Sequence, residues 1–214
     1  MIKVWGRKSS SNVQAVLWCL GELGLEFDRV DAGFKYGVVN TAEYLNMNPN
    51  GTVPCLQDGH GEPLWESGAI MRYLANRYAD ESFWPADLHL RAQVDKWAEW
   101  SKLNVAGNYT SPVFWQVVRI PVERRNAELI DSAVKNLEKY LQIADHQLTT
   151  SQYLAGETLT LADIQFGHCL YRYFDVDIKR AQLDNLTRYY NLLCTSPHFC
   201  EHVKVDYSEL VNSL

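Results

Sequence analysis

The chain has 214 residues, of which 47% are apolar and 21% charged, and a formal net charge of −6. That is apolar material for one large domain or two modest ones, and it excludes a disordered composition. The acidic balance and scattered Lys and Arg argue against nucleic acid as a partner, and no apolar run is long enough to span a bilayer.

The opening Met1-Ile2-Lys3-Val4-Trp5 lacks the apolar core of a signal peptide and soon reaches Arg7-Lys8-Ser9-Ser10-Ser11, so the expectation is a cytoplasmic protein. Ile2–Trp5 is β-prone. Val13, Val16, Leu17, Leu20 and Leu23 then recur at helical spacing until Gly24. Phe27–Asp31 reads as a second strand, followed by a loop region. Val53–Leu56 and Pro63–Trp65 flank the turn-rich Asp58-Gly59-His60-Gly61 and read as a hairpin. Ser67 then opens a helix carrying Ile70, Met71, Leu74 and Tyr78. A βαβ unit followed by a hairpin and a helix is an α/β, thioredoxin-like plan.

The texture changes after that. Residues 80–88 read as a linker and 89–214 as an all-α domain, leaving 1–79 as the first domain. Ala92, Trp97, Trp100 and Leu103 start a long helix. Ile130, Leu137, Leu141, Ala144 and Leu148 mark another, with Pro121 near its first turn. Leu161–Phe174, Leu186–Cys194 and the segment after Ser196-Pro197 are further helices. Thr160-x-x-Asp163 is a capping box and a folding element.

Asn48-Pro49-Asn50-Gly51-Thr52-Val53-Pro54 carries the most chemical information. Gly51 permits an unusual backbone angle, and Pro54 is a candidate for a cis peptide in a tight turn. Such a turn would leave the N–H and C=O of Val53 free to pair with an extended ligand, as an added strand. Glu66-Ser67 follows across the hairpin. Ser67 stands where an N-cap belongs, so its hydroxyl and the next backbone N–H groups would form an anion site. The five cysteines (Cys19, Cys55, Cys169, Cys194, Cys200) form no Cys-x-x-Cys pair, and His198 and His202 lack an evident third ligand, so no metal site is expected.

Asn-Pro-x-Gly-x-Val-Pro, a short hairpin, Glu66-Ser67 and a helix with Arg72-Tyr73-Leu74 resemble the glutathione-binding domain of cytosolic glutathione transferases. Tyr153–Ile164 resembles the same family's second domain. The resemblance covers nearly the whole chain. It implies that Val53 and Pro54 meet the cysteinyl part of glutathione, that Glu66 and Ser67 hold the γ-glutamyl end, and that Lys35 and Thr52 lie near the glycine end. The sulfur-activating residue then comes from the loop after the first strand, where no Tyr or Cys occurs. A serine-type enzyme fits, and the opening Gly6-Arg7-x-x-Ser10-x-Asn12-Val13 resembles the bacterial GstB-like members. Ser10 is best placed, with Ser9, Ser11 and Asn12 as open alternatives; Ser11 or Asn12 would also suit the cap of the first helix.

The family match further implies glutathione as co-substrate, a small hydrophobic electrophile, a pocket lined by Asn108, Phe114 and Trp115, and a homodimer. Glutathione conjugation is the leading expectation. Glutathione-dependent isomerisation or dehalogenation on the same site is one alternative. A non-catalytic ligand-binding or protein-interaction module is another.

Overall fold

The computed structural model describes all of residues 1–214. The first part is a four-stranded sheet of β1 (Ile2–Trp5), β2 (Phe27–Val30), β3 (Cys55–Asp58) and β4 (Leu64–Trp65), in the order β2-β1-β3-β4. β1 pairs parallel with β2 and antiparallel with β3. The parallel pair requires a crossover, which α1 (Ser11–Glu22) supplies. α2 (Ala42–Met47) and α3 (Ser67–Tyr78) complete this part. α2 lies in the stretch that the sequence reads as loop. Thr41 caps it by accepting the Tyr44 N–H.

α4 (Leu88–Trp100) opens the helical part. It runs on through π-helical turns (Ser101–Ala106), a short α5 (Gly107–Tyr109) and a second π-helical stretch (Thr110–Arg119). Then come α6 (Ala127–Gln147), α7 (Leu161–Gly167), α8 (Leu170–Asp175), α9 (Asp184–Leu193) and α10 (Pro197–His202). No helix is long and apolar enough to cross a membrane.

Two sequence expectations are corrected here. Pro121 does not start α6. It precedes a separate 3-10 turn at Val122–Arg124, and Asn126 caps α6 through the Leu129 N–H. Leu161–Phe174 is two helices, α7 and α8, broken around His168-Cys169. α7 ends on Gly167, where packing leaves no room for a side chain: an added Cβ would lie 2.6 Å from Leu193 and 2.9 Å from Trp18.

α1 is the hub. Val13 through Gly21 are all buried, so the helix is covered on every side, by α3 and by α7 and α10 of the helical part. Trp18 stacks edge-on against Phe199 at 4.9 Å, and its indole N–H reaches Glu22 at 2.7 Å. Glu22 also accepts from Ser196 at 2.6 Å. One apolar cluster therefore runs from the sheet into the helices. Gly167→Ala is expected to destabilise the protein by about 1–3 kcal/mol through overpacking at this junction, read as a lower urea midpoint at unchanged slope.

Candidate active site

The strand pairings bring the sequence-predicted segments together. Trp5 lies opposite Cys55, and Cys55 opposite Trp65. The loop leaving β1, the Val53-Pro54 segment and Glu66-Ser67 therefore meet at one end of the sheet. Gly6 makes the first approach possible, because a Cβ there would sit 2.4 Å from Val13 on α1.

The Val53–Pro54 peptide is cis. Neither the N–H nor the C=O of Val53 takes part in any backbone hydrogen bond of the chain. The preceding carbonyl, of Thr52, is held by the Tyr44 hydroxyl at 2.6 Å and the Asn48 amide at 2.8 Å. Gly51 enters this turn at φ +60°, with a backbone oxygen 3.3 Å from where a Cβ would lie. α2 thus fixes the clamp, and the Thr52 side chain is exposed beside it.

Glu66, not Ser67, occupies the cap of α3; Ser67 is its first helical residue and only 3% exposed. Glu66 enters the turn at φ 68°, a left-handed conformation that costs a non-glycine residue about 1–2 kcal/mol. Its carboxylate is 2.9 Å from the Lys102 ammonium, which projects from the helical part.

Ser10 is the cap residue of α1, ahead of Ser11 and Asn12. Its hydroxyl makes no capping bond, although its carbonyl accepts the Gln14 N–H at 2.9 Å. The side chain therefore stands at the positive end of a 12-residue helix with its oxygen free of the first-turn N–H groups. Ser11 is half-buried and Asn12 exposed on the first turn. The Ser9 hydroxyl donates to Glu209, and the Ser9 carbonyl accepts from Arg172 at 2.6 Å. Lys35 pairs with the other Glu209 oxygen at 2.6 Å. A ligand carboxylate reaching Lys35 would compete with that pair. Burial pushes the Glu209 carboxyl up, but the bonds from Lys35 and Ser9 outweigh it, and the group sits below the usual carboxylate value.

Of the expected pocket residues, Trp115 is partly exposed, with the Arg119 guanidinium 4.9 Å over its ring. Asn108 is half-buried and Phe114 is packed within the helical part. Asn108 bonds to the Asn104 carbonyl at 2.8 Å and accepts from Asn136 at 2.9 Å. Phe114 is buried, its face covered by Arg172 at 4.6 Å. His198 and His202 gain a neighbour that spacing did not suggest: Glu201, with the three ligand atoms within 4.8 Å of one another. Lys8 and Arg29 line the same hollow as Glu201 and His202 and oppose a cation there.

Comparison with known proteins gives the family. The family model for the glutathione S-transferase N-terminal domain matches residues 1–76, and that for the C-terminal domain matches 109–197. The chain is 34% identical to glutathione S-transferase GstB of Escherichia coli over 92% of this chain and 95% of that protein. It is 32% identical to the probable glutathione S-transferase GSTF1 of Oryza sativa, covering 85% and 84%. A crystal structure of a theta class glutathione S-transferase from Xanthomonas axonopodis pv. citri, with glutathione bound, superposes at a TM-score of 0.90. Its identity is 37%, over 96% of this chain and 98% of that one. The chain belongs to the glutathione S-transferase family. It has that family's fold, a small mixed sheet with helices followed by a large helical part.

Within this transferase scaffold, four charged residues escaped sequence reading: Arg7, Lys102, Arg172 and Glu209. Arg7 stands in the Gly6-Arg7-x-x-Ser10 opening, but the sequence assigns it no role there. The other three reach the site from the helical part, and no local pattern marks them.

Proposed function

We propose that this family member binds glutathione at the end of the sheet and conjugates its thiolate to a small electrophile. The juxtaposition of the unpaired Val53 backbone groups, Glu66-Ser67 and the uncommitted Ser10 hydroxyl carries this reading. The cysteinyl backbone of glutathione adds to Val53 as a short strand. The γ-glutamyl amine meets the Glu66 carboxylate, and its carboxylate meets Ser67 and the N-terminus of α3. Lys35 and Thr52 flank the glycine end.

An unperturbed thiol has a pKa of about 8.5, so only about 3% is thiolate at pH 7. The Ser10 hydroxyl donates to sulfur, and the positive end of α1 favours the anion. Serine stays a hydrogen-bond donor. The sulfur attacks the electrophilic carbon, the S–C bond forms, and the leaving group departs with its electron pair. The electrophile lies between the two parts of the chain, near Trp115. A cytoplasmic homodimer is the form this reading expects. No feature of the site favours isomerisation or dehalogenation over conjugation.

Calorimetric titration with glutathione tests the reading; no measurable binding at millimolar ligand would overturn it. Glu66→Gln is expected to weaken glutathione binding about tenfold, the range of one charge-assisted hydrogen bond, with a smaller effect on kcat. Affinity unchanged in that variant would remove Glu66 from the γ-glutamyl site.

A further inference from the structure

Two guanidiniums lack an acidic partner once the glutathione site is assigned, although the Nε of Arg119 donates to the Ser213 hydroxyl at 3.0 Å. Arg7, on the loop after β1, and Arg119, at the end of the second π-helical stretch, both lie against the Phe34 ring, at 5.6 and 5.8 Å. Arg119 also lies 4.9 Å over Trp115. Neither arginine has a carboxylate within 4.0 Å, whereas Arg29 and Arg72 both do. The Arg7 Nε is buried without a hydrogen-bond partner. Glu209, the nearby acid, already holds Lys35 and Ser9. Behind the pair, Arg172 is fully buried, also lacks a carboxylate, and has an unpartnered Nε.

Like charges gathered without an anion are unfavourable in a partly desolvated site, and an incoming anion relieves that. Burial holds Arg7 below the ordinary guanidinium value, and the Arg119 charge adds to it against the opposite pull of Glu209. The location is informative too. A side chain at Gly33 would begin 3.6 Å from Arg7 Nη1 and 3.4 Å from the Val53 methyls, so Arg7 borders the glutathione clamp. Arg119 and Trp115 come from the helical part. The cluster thus spans the cleft between the two parts and offers aromatic faces and positive charge together.

We propose that Arg7 and Arg119 form an anion subsite in the second-substrate pocket, and that the preferred electrophiles are aromatic molecules carrying a carboxylate or similar acidic group. This rests on the conjugation reading. The acid pairs with the guanidiniums, and the ring lies along Phe34 and Trp115. The reacting carbon is thereby turned toward the sulfur, with no proton gained or lost by either arginine.

Calorimetry with two glutathione conjugates differing in one group provides the test: S-(4-carboxybenzyl)glutathione and its primary amide, S-(4-carbamoylbenzyl)glutathione. The wild-type protein should bind the acid about tenfold more tightly than the amide, with a preference that shrinks as salt rises. Arg7→Gln and Arg119→Gln should each bring the preference below about twofold, leaving the affinities for the amide and for glutathione unchanged; Arg119→Lys should keep part of it. Binding of glutathione and both conjugates without preference would overturn the subsite alone. So would a preference that survives both substitutions. Failure to bind glutathione or either conjugate would overturn the subsite and the conjugation reading together.

Discussion

Ser10→Ala is expected to lower kcat/KM for conjugation about 10- to 50-fold at pH 6.5, with the deficit closing as pH approaches 9. A hydrogen bond from a neutral donor to an anion is worth about 1.5–3 kcal/mol, or roughly one to two units of thiol pKa. The sign follows from which form the hydroxyl stabilises. In the proposed function Ser10 favours thiolate, so activity in the wild type should persist down to the depressed pKa and be lost below it. Without the hydroxyl the acid limb of the pH–rate profile moves up, and above the new pKa both enzymes hold thiolate alike. Glutathione affinity should change little, because the proposed function assigns the peptide part to Val53, Glu66 and Ser67. Ser9→Ala is the control. Its hydroxyl is engaged by Glu209, so its removal should leave the acid limb in place. An unmoved limb in Ser10→Ala would shift the role to Ser11 or Asn12.

Asp163→Ala should cost about 3–5 kcal/mol of stability, measured by urea denaturation. The carboxylate is fully buried and accepts four hydrogen bonds. They come from the Leu154 N–H at 3.0 Å, the Thr160 N–H at 2.8 Å, the Thr160 hydroxyl at 2.9 Å and the Tyr189 hydroxyl at 2.9 Å. These donors lie on the turn before α7, its cap residue and α9, so one side chain ties three segments together. Each buried donor left without a partner costs about 1–3 kcal/mol, only partly recovered by relaxation. Burial pushes the carboxyl above its ordinary value while the donors pull it back. Asp163→Asn keeps one acceptor oxygen and should fall between wild type and alanine. A loss below about 1 kcal/mol in the alanine variant would show that water replaces the carboxylate.

The parts of this fold legible in the sequence are those written in local chemistry. Asn48 through Pro54 and Glu66-Ser67 declare themselves because a glycine, a proline or a cap residue constrains the backbone within a few positions. Thr160 and Asp163 do the same. α2 went unread although Thr41 caps it, because only Tyr44 of its six residues is buried and no apolar period appears. The break after Gly167 was hidden for the opposite reason. Leu161 through Leu170 are buried throughout, so periodicity cannot show where one helix ends. In the site, local residues were found and distant ones were not. Lys102 meets Glu66 from 36 positions away, and Arg172 meets Ser9 from 163. No spacing rule reaches so far. The contacts of Phe114 and Asn108 are likewise distant in sequence: Asn136 meets Asn108 from 28 positions away, and Arg172 covers the Phe114 ring.

The loop after β1 has a particular place in time. Ser9 takes one bond from Arg172 and gives another to Glu209, the latter 200 residues further along the chain. During synthesis the sheet and α1 emerge first, with this loop exposed and its two anchors still unmade. Domains generally fold from the N-terminus as the chain is made. The small domain can therefore assemble its strands early, while the segment that carries Ser10 receives its last support only when Glu209 clears the ribosome. In the nascent chain the turn at Val53 therefore precedes the anchoring of the Ser10 loop, and under the proposed function a ligand is held before it is activated.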